Sequence, residues 1–492
     1  MARKLTLGID VGTTTVKAGV IDDQGRMIGH FSRGYATHRY ASHRHGRTFV
    51  EQNPDDWMRL VRDAMAGFSH HVISTIGLTS QVNTHVFVGA DGTPLMPAIQ
   101  WQDGRAVAEA ATLDAAITSD QKVAWWGAPM PIDASHVLSR MAWVAHHQPD
   151  IWEKTRWVML PKDYCLFKLT GEITTDPLSN FGLVDRSLNY IPAALELVPG
   201  AADRTLSLAP VCELVGKVRD GPLTGTPIVS GTMDAWAGLV GTGGARDRSS
   251  VYISGTSEIL GISSQQVIPT PGAIVFPQSN GIRVHAAPTQ SGGDAVAWFA
   301  QTSGLSFDGI SAAVSATPRS AATPLFLPQL EGERAPIWDA DLRAAFLGVS
   351  RQTTQGDFAR AVFEGVALAA RMALETLQSS ANLVSDSIAC SGGGFRSDPW
   401  AQIRADVLGV ELRILAASEP GVFGAATLAA IGAGDFAGFE DAHTALARYD
   451  RIFEPEPAAH GQYNTLFEIY KQAIVTHADI GKRLSALLSP PP

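Results

Sequence analysis

The chain has 492 residues, 45% of them hydrophobic and 17% charged, a balance that excludes wholesale disorder and gives length for roughly two to four domains with their own cores. Its formal charge of −10 argues against a general binder of nucleic acid or anionic membrane, while a small anionic ligand held by amides and a lysine stays open. Cys165, Cys212 and Cys390 lie far apart without a CxxC pair, no apolar stretch reaches spanning length, and MARKLTLGID runs directly into a strand, so a reducing cytoplasm is expected.

Strand signals open the chain at 5–10, 14–21 and 26–34, with a turn at Asp23-Gln24-Gly25. Residues 54–68 carry apolar residues at helical spacing behind an acidic first turn, and Ile73 to Leu78 reads as the next strand. Residues 104–170 read as mostly helical. From 221 to 250 glycine and small residues take over, which sets a domain border at 243/244. Beyond it SVYISGTSEILGISS repeats the opening device of strand, Gly-Thr turn and returning strand. A helix over 357–378, a strand from Ser387 to Cys390 and a last helix over about 460–487 follow. A hairpin followed by alternating helix and strand, met twice, predicts two related α/β domains. The last helix is open between returning to the first domain and staying with the second.

Two hairpin tips carry the first chemical signal. Gly12-Thr13-Thr14 and Gly255-Thr256-Ser257 place small residues and hydroxyls where backbone N–H groups can approach oxyanions, although such turns also simply close hairpins. Asp10 suits a magnesium holder, or a turn cap; Lys17 suits phosphate neutralisation, or a solvated strand position. In CSGGGFRSDPWAQIRADVLG, Gly392, Gly393 and Gly394 join a strand to a helix capped by Ser397, a nucleotide-binding pattern that also serves as a plain connection. No P-loop and no hydrolase elbow occurs, and GTGGAR at 241–246 misses the last glycine of a dinucleotide fingerprint. His43 and His45 sit in a polar loop without acidic neighbours and are read as exposed rather than metal-binding.

The acceptor side rests on PIVSGTMDAWAGLVG. Asp234 stands at a helix start near the domain border, placed to cap the helix or to take a proton from a substrate hydroxyl. Gln81 and Asn83, with Trp101 and Asp103 of AIQWQDGR, offer the amides, carboxylate and aromatic plane that suit a polyol.

Asp10-x-Gly-Thr-Thr-x-x-Lys17, AIQWQDGR, SGTMDAWAG, SGTSE, LPQLEGERAPIWD and SGGGFRSD resemble, in that order, the FGGY carbohydrate kinases, and LPKDYCLFKLTGEITTD is similar to a signature of that family. The resemblance covers nearly the whole chain. It implies an α/β fold of two actin-like (ribonuclease-H-like) domains, 1–243 and 244–492, with a catalytic cleft between them. It implies ATP and Mg2+, with Asp10 toward the metal, Thr13, Thr14, Lys17, Gly255, Thr256 and Ser257 toward phosphates, and Gly392 to Gly394 and Ser397 along the adenosine. Asp234 would be the general base, and Gln81, Val82, Asn83, Trp101 and Asp103 would face the sugar.

Within the family the LPKDY, WQDGR and Gly-Glu-Arg-Ala-Pro stretches are most similar to xylulokinases, so phosphorylation of D-xylulose to D-xylulose 5-phosphate is the first expectation. Gln81-Val82-Asn83-Thr84 stands where those enzymes usually carry Gln-Met-His-Gly, Ala235 where they carry asparagine, and Glu258 where a glycine is common. Ribulose, erythritol and gluconate are the alternative substrates, and an actin-like ATP-driven binding protein is the alternative class. Homodimers are common in the family, and neither nucleic acid nor membrane is an expected partner.

Overall fold

The computed structural model describes residues 4–41, 48–127, 129–279, 281–339, 341–416 and 419–488. The chain divides into two compact units: Met1–Gly241, Phe276–Gly281 and Glu419–Ala447 form the first, and Thr242–Val275, Ile282–Ser418 and Arg448–Pro492 the second.

The first unit is built on a sheet ordered Leu214–Lys217, Pro227–Val229, Ile73–Ser80, Leu5–Val11, Thr15–Asp22, Met27–Gly34. Leu5–Val11, Thr15–Asp22 and Met27–Gly34 form an antiparallel meander, which tight turns can close. Ile73–Ser80 then joins Leu5–Val11 in parallel, which requires a crossover, supplied by the helix Pro54–Gly67. That helix begins where the Asn53 side chain accepts from Asp55 N, with Pro54 in the first turn. It buries Trp57, Leu60, Val61, Ala64 and Met65. Residues 104–170 are mostly helical as expected, with a stretch between Trp126 and Val137 whose described residues are non-helical and a strand, Thr155–Met159, that pairs with Val86–Gly89.

The expected border at 243/244 lies at 241/242, and Glu419–Ala447 groups with the first unit rather than the second. Glycines explain this. A Cβ on Gly8 would come within 2.0 Å of Val422 O, and one on Gly77 within 1.9 Å of Ala425 O. The bare glycine backbones of Leu5–Val11 and Ile73–Ser80 therefore let the small-residue helix Pro420–Gly432 lie directly on that sheet.

The second unit repeats the plan. Its sheet runs Ile274–Val275, Val284–Pro288, Glu258–Ser263, Ser250–Ser254, Ser387–Ser391, Glu411–Leu415, Tyr449–Phe453. Ser250–Ser254, Glu258–Ser263 and Val284–Pro288 are an antiparallel meander, and Ser387–Ser391 and Glu411–Leu415 continue in parallel. The helix Gln355–Ala381 packs with Asp398–Leu408 through Val362, Phe363, Val366 and Trp400. The last helix, Pro457–Leu488, belongs to this unit, with Tyr463, Phe467, Tyr470 and Ile474 buried in the same core.

Candidate active site

In the first unit the strand Leu5–Val11 carries Asp10 to the end of the sheet, and Gly12 N–H closes a tight turn onto Thr15 O at 3.0 Å. The tip is braced from three sides. The Tyr35 hydroxyl donates to Gly12 O, Gln52 Nε2 donates to Thr13 O at 2.8 Å, and Trp101 Nε1 donates to the Thr13 hydroxyl at 3.2 Å. Thr14 is exposed at the tip.

Asp10 Oδ1 is buried and has no hydrogen-bond partner among the described residues. Burial, followed by the charge of Asp234, pushes the Asp10 carboxyl up to about 8, with Lys17 opposing. The two acids of this unit thus oppose each other's charge, which a divalent cation would offset. A buried carboxylate oxygen without a partner among the described residues fits Mg2+, which prefers carboxylate and phosphate oxygens. The start of Pro420–Gly432 abuts the same acid, since a Cβ on Gly421 would lie 2.7 Å from Asp10 Oδ2. Lys17, expected to neutralise phosphate, donates to Glu419 Oε2 at 2.7 Å.

Asp234 opens the helix Asp234–Thr242, directly after the short strand Thr232–Met233. Its Oδ1 accepts from Ala235 N at 2.7 Å. Burial raises its carboxyl to about 6, against the pull of that N–H. A buried network fixes the preceding strand. Lys162 Nζ lies 2.6 Å from Asp163 Oδ1 and 2.9 Å from Asp176 Oδ2. The Thr232 hydroxyl donates to Asp176 Oδ1 at 2.9 Å, and the Thr79 hydroxyl to Thr232 O at 2.7 Å.

Around this centre Gln81 is buried and donates to Gln52 Oε1 at 2.8 Å and Tyr35 OH at 3.2 Å. Its Oε1 has no partner among the described residues, which leaves an acceptor for a ligand hydroxyl. Val82 and Asn83 follow, half-buried; Asn83 has φ +54° and donates to Ser135 Oγ at 3.1 Å. Asp103 differs from expectation. One of its oxygens accepts from Arg105 N and Nε, and the other from Arg105 Nη2 and Val50 N. It shapes the segment from behind and has no oxygen left over for a sugar. Arg140, missed in the sequence, is buried and donates to the carbonyls of Asn83, Ile99 and Gln100, so that one cation ties the segment after Ile73–Ser80 to the end of Ala98–Ile99.

In the second unit Gly255 and Thr256 are exposed, and Gly255 N closes onto Ser257 O at 2.9 Å. The first turn of Gly293–Ser303 braces this tip: Gly293 N donates to Gly255 O at 2.9 Å and Asp294 N to Thr256 O at 3.0 Å. The Gly292-Gly293 pair is the sequence signal for that approach, since a Cβ on Gly292 would meet Ser257 at 2.7 Å. Gly392 adopts φ +100°, Gly393 faces open space and Gly394 is buried. Ser397 caps Asp398–Leu408 by accepting from Trp400 N at 3.3 Å and lies 2.8 Å from the Ser311 hydroxyl.

His43 and His45 lie outside the described residues. Glu109, His146 and His147 hold one possible ligand atom each within 4.8 Å of one another; Glu109 lies on the helix Val107–Ala116 and the two histidines end Val137–His147, the helix that also carries Arg140. Among the described residues no helix is long and apolar enough to cross a membrane.

Comparison with known proteins gives the family. The N-terminal domain profile of the FGGY family of carbohydrate kinases matches residues 5–241 and the C-terminal domain profile residues 250–433. The chain is 29% identical over 511 residues to a xylulose kinase of Staphylococcus epidermidis, covering 98% of this chain and 99% of that one. It is 27% identical over 501 residues to a xylulose kinase of Bacillus subtilis, covering 96% and 97%. The crystal structure of a xylulose kinase from Rhodospirillum rubrum superimposes with a TM-score of 0.85 at 25% identity, covering 97% and 100%. An actin-like binding protein without sugar phosphorylation is thereby set aside: the chain belongs to the FGGY family of carbohydrate kinases and is an ATP-dependent sugar kinase.

Proposed function

We propose that this kinase transfers the γ-phosphate of ATP to the terminal hydroxyl of D-xylulose, giving D-xylulose 5-phosphate and ADP. Asp234 accepts the proton of the attacking hydroxyl, the new O–P bond forms as the bond to ADP breaks, and the base returns its proton to solvent. Gln81, Val82, Asn83 and Trp101 line the sugar side. The amides and hydroxyls at Thr13 and Thr14, and at Gly255, Thr256 and Ser257, oppose charge on the transferring phosphate. Gly392 to Gly394 and Ser397 serve the adenosine. Asp10 would hold Mg2+, which when bound offsets charge on the phosphate oxygens.

One observation carries the reading: Asp234, at the start of Asp234–Thr242, shares its unit with a buried Asp10 whose Oδ1 has no hydrogen-bond partner among the described residues. The sugar itself is inferred from the named activities of the relatives. Asn83 and Ala235, where xylulokinases usually carry histidine and asparagine, favour a second reading in which the acceptor is another pentulose, a polyol such as erythritol, or gluconate. ADP release is measured by coupled assay with D-xylulose, L-xylulose, both ribuloses, erythritol and gluconate. The highest kcat/KM with D-xylulose supports the first reading; a tenfold or larger preference for another acceptor replaces it.

A further inference from the structure

Glu258 stands where the family commonly has glycine, one residue past the exposed tip of the second hairpin. Its side chain turns inward. Glu258 is 1% exposed and Arg404, from the helix Asp398–Leu408, is fully buried. Arg404 Nη2 donates to Glu258 Oε1 at 3.0 Å and to the Ser254 hydroxyl at 2.8 Å, while Nη1 donates to Gly394 O at 3.0 Å. The Ser254 hydroxyl donates to Glu258 Oε1 at 2.9 Å. The guanidinium also lies over the rings of Trp400 at 3.7 Å, Phe395 at 4.5 Å and Tyr252 at 5.1 Å.

This one cation therefore touches both strands of the hairpin, which meet at the Ser254–Glu258 pair, and the glycine turn. The two segments are in direct contact there: a Cβ on Gly392 would come within 2.3 Å of Ser254 O, and one on Gly394 within 1.9 Å of Ser254 Oγ. Stability alone does not call for such a pair, because well-packed apolar residues replace buried ion pairs at little or no cost. Position does. A planar guanidinium with several fixed donors can hold acceptors of different segments at set angles, which an apolar side chain cannot.

We propose that Glu258 and Arg404 are positioning residues for the nucleotide, locking the tip Gly255–Ser257 to the turn Gly392–Gly394 so that both address one ATP molecule. The inference rests on the reading that these two segments hold ATP.

Four variants test it: Glu258→Gln, Arg404→Lys, the double replacement Glu258→Met with Arg404→Leu, and Thr256→Val at the tip. Binding of Mg-ADP, KM for ATP, KM for the sugar and the thermal midpoint are measured on each. Glu258→Gln and Arg404→Lys are expected to weaken ADP binding and raise KM for ATP about tenfold or more, with sugar KM within about twofold. The double variant is expected to regain the thermal midpoint without regaining ADP affinity. Wild-type ADP affinity in the double variant, or in both conservative singles should the double not fold, would overturn the proposal. Should Thr256→Val also leave ADP affinity unchanged, the assignment of the tip to the nucleotide fails with it; should it weaken binding, only the positioning role fails.

Discussion

The indole N–H of Trp101 donates to the hydroxyl of Thr13 at 3.2 Å, so the ring assigned to the sugar and the hydroxyl assigned to the phosphate form a single contact. Trp101→Phe keeps the plane and removes the donor. The loss of one such bond, about 1 kcal/mol, lowers kcat/KM roughly fivefold. Thr13→Val, which also removes the hydroxyl proposed to face the phosphate, is expected to lose at least as much, and the double variant to be little worse than Thr13→Val. Steady-state kinetics on the four-member cycle check this; fully additive losses would separate the two sites.

Asp234, as the proposed base, is expected to set the acidic limb of the pH profile. Burial raises its carboxyl to about 6, so the proton-accepting form is full above that pH and is lost below it. Log kcat/KM is expected to rise with pH toward a plateau, bending near 6. Asp234→Asn should cut turnover by roughly two to four decades with ADP affinity near normal. A profile flat down to pH 5 in the wild type would remove this group from the proton transfer.

Lys162 is the hub of the network behind Asp234. Its ammonium is buried between Asp163 and Asp176, and it pulls against the burial that raises Asp163. Lys162→Met strands two buried carboxylates with no cation, which costs about 3–5 kcal/mol. Chemical denaturation should show that loss, and raising Asp163→Asn together with Asp176→Asn in the same chain should recover part of it. An unchanged midpoint in Lys162→Met would mean the pair contributes no stability.

What the sequence disclosed was whatever is local. Asp10 followed by Gly12 and two threonines is a strand, an acid and a turn within five positions, and the structure makes that hairpin with Asp10 opposite Lys17. Asp234 was legible because a strand, an acid and small residues follow one another directly. Glu419 and Gly421 reach the same centre from more than 400 positions away, through a helix whose hydrophobic residues give no periodic face because it is buried all round. Asp103 was misread: an aspartate two residues before an arginine can close on that arginine, and here it does. The edge strand Tyr449–Phe453 escaped notice because no residue in it is fully buried.

Gly421 gives the sharpest test of the metal assignment, because helix propensity and site geometry predict opposite signs. Alanine in place of glycine inside a helix normally stabilises by up to about 1 kcal/mol. At this position the new Cβ would sit 2.7 Å from Asp10 Oδ2, closer than side-chain carbons come to any neighbour, so the carboxylate has to move. Gly421→Ala is therefore expected to keep or raise the thermal midpoint while raising the Mg2+ concentration needed for half-maximal activity about tenfold. Gly461→Ala on the last helix, whose Cβ would meet nothing within 4 Å, should leave that Mg2+ requirement unchanged and serves as the control. A Gly421→Ala enzyme with a normal Mg2+ requirement would mean that Asp10 does not hold the ion.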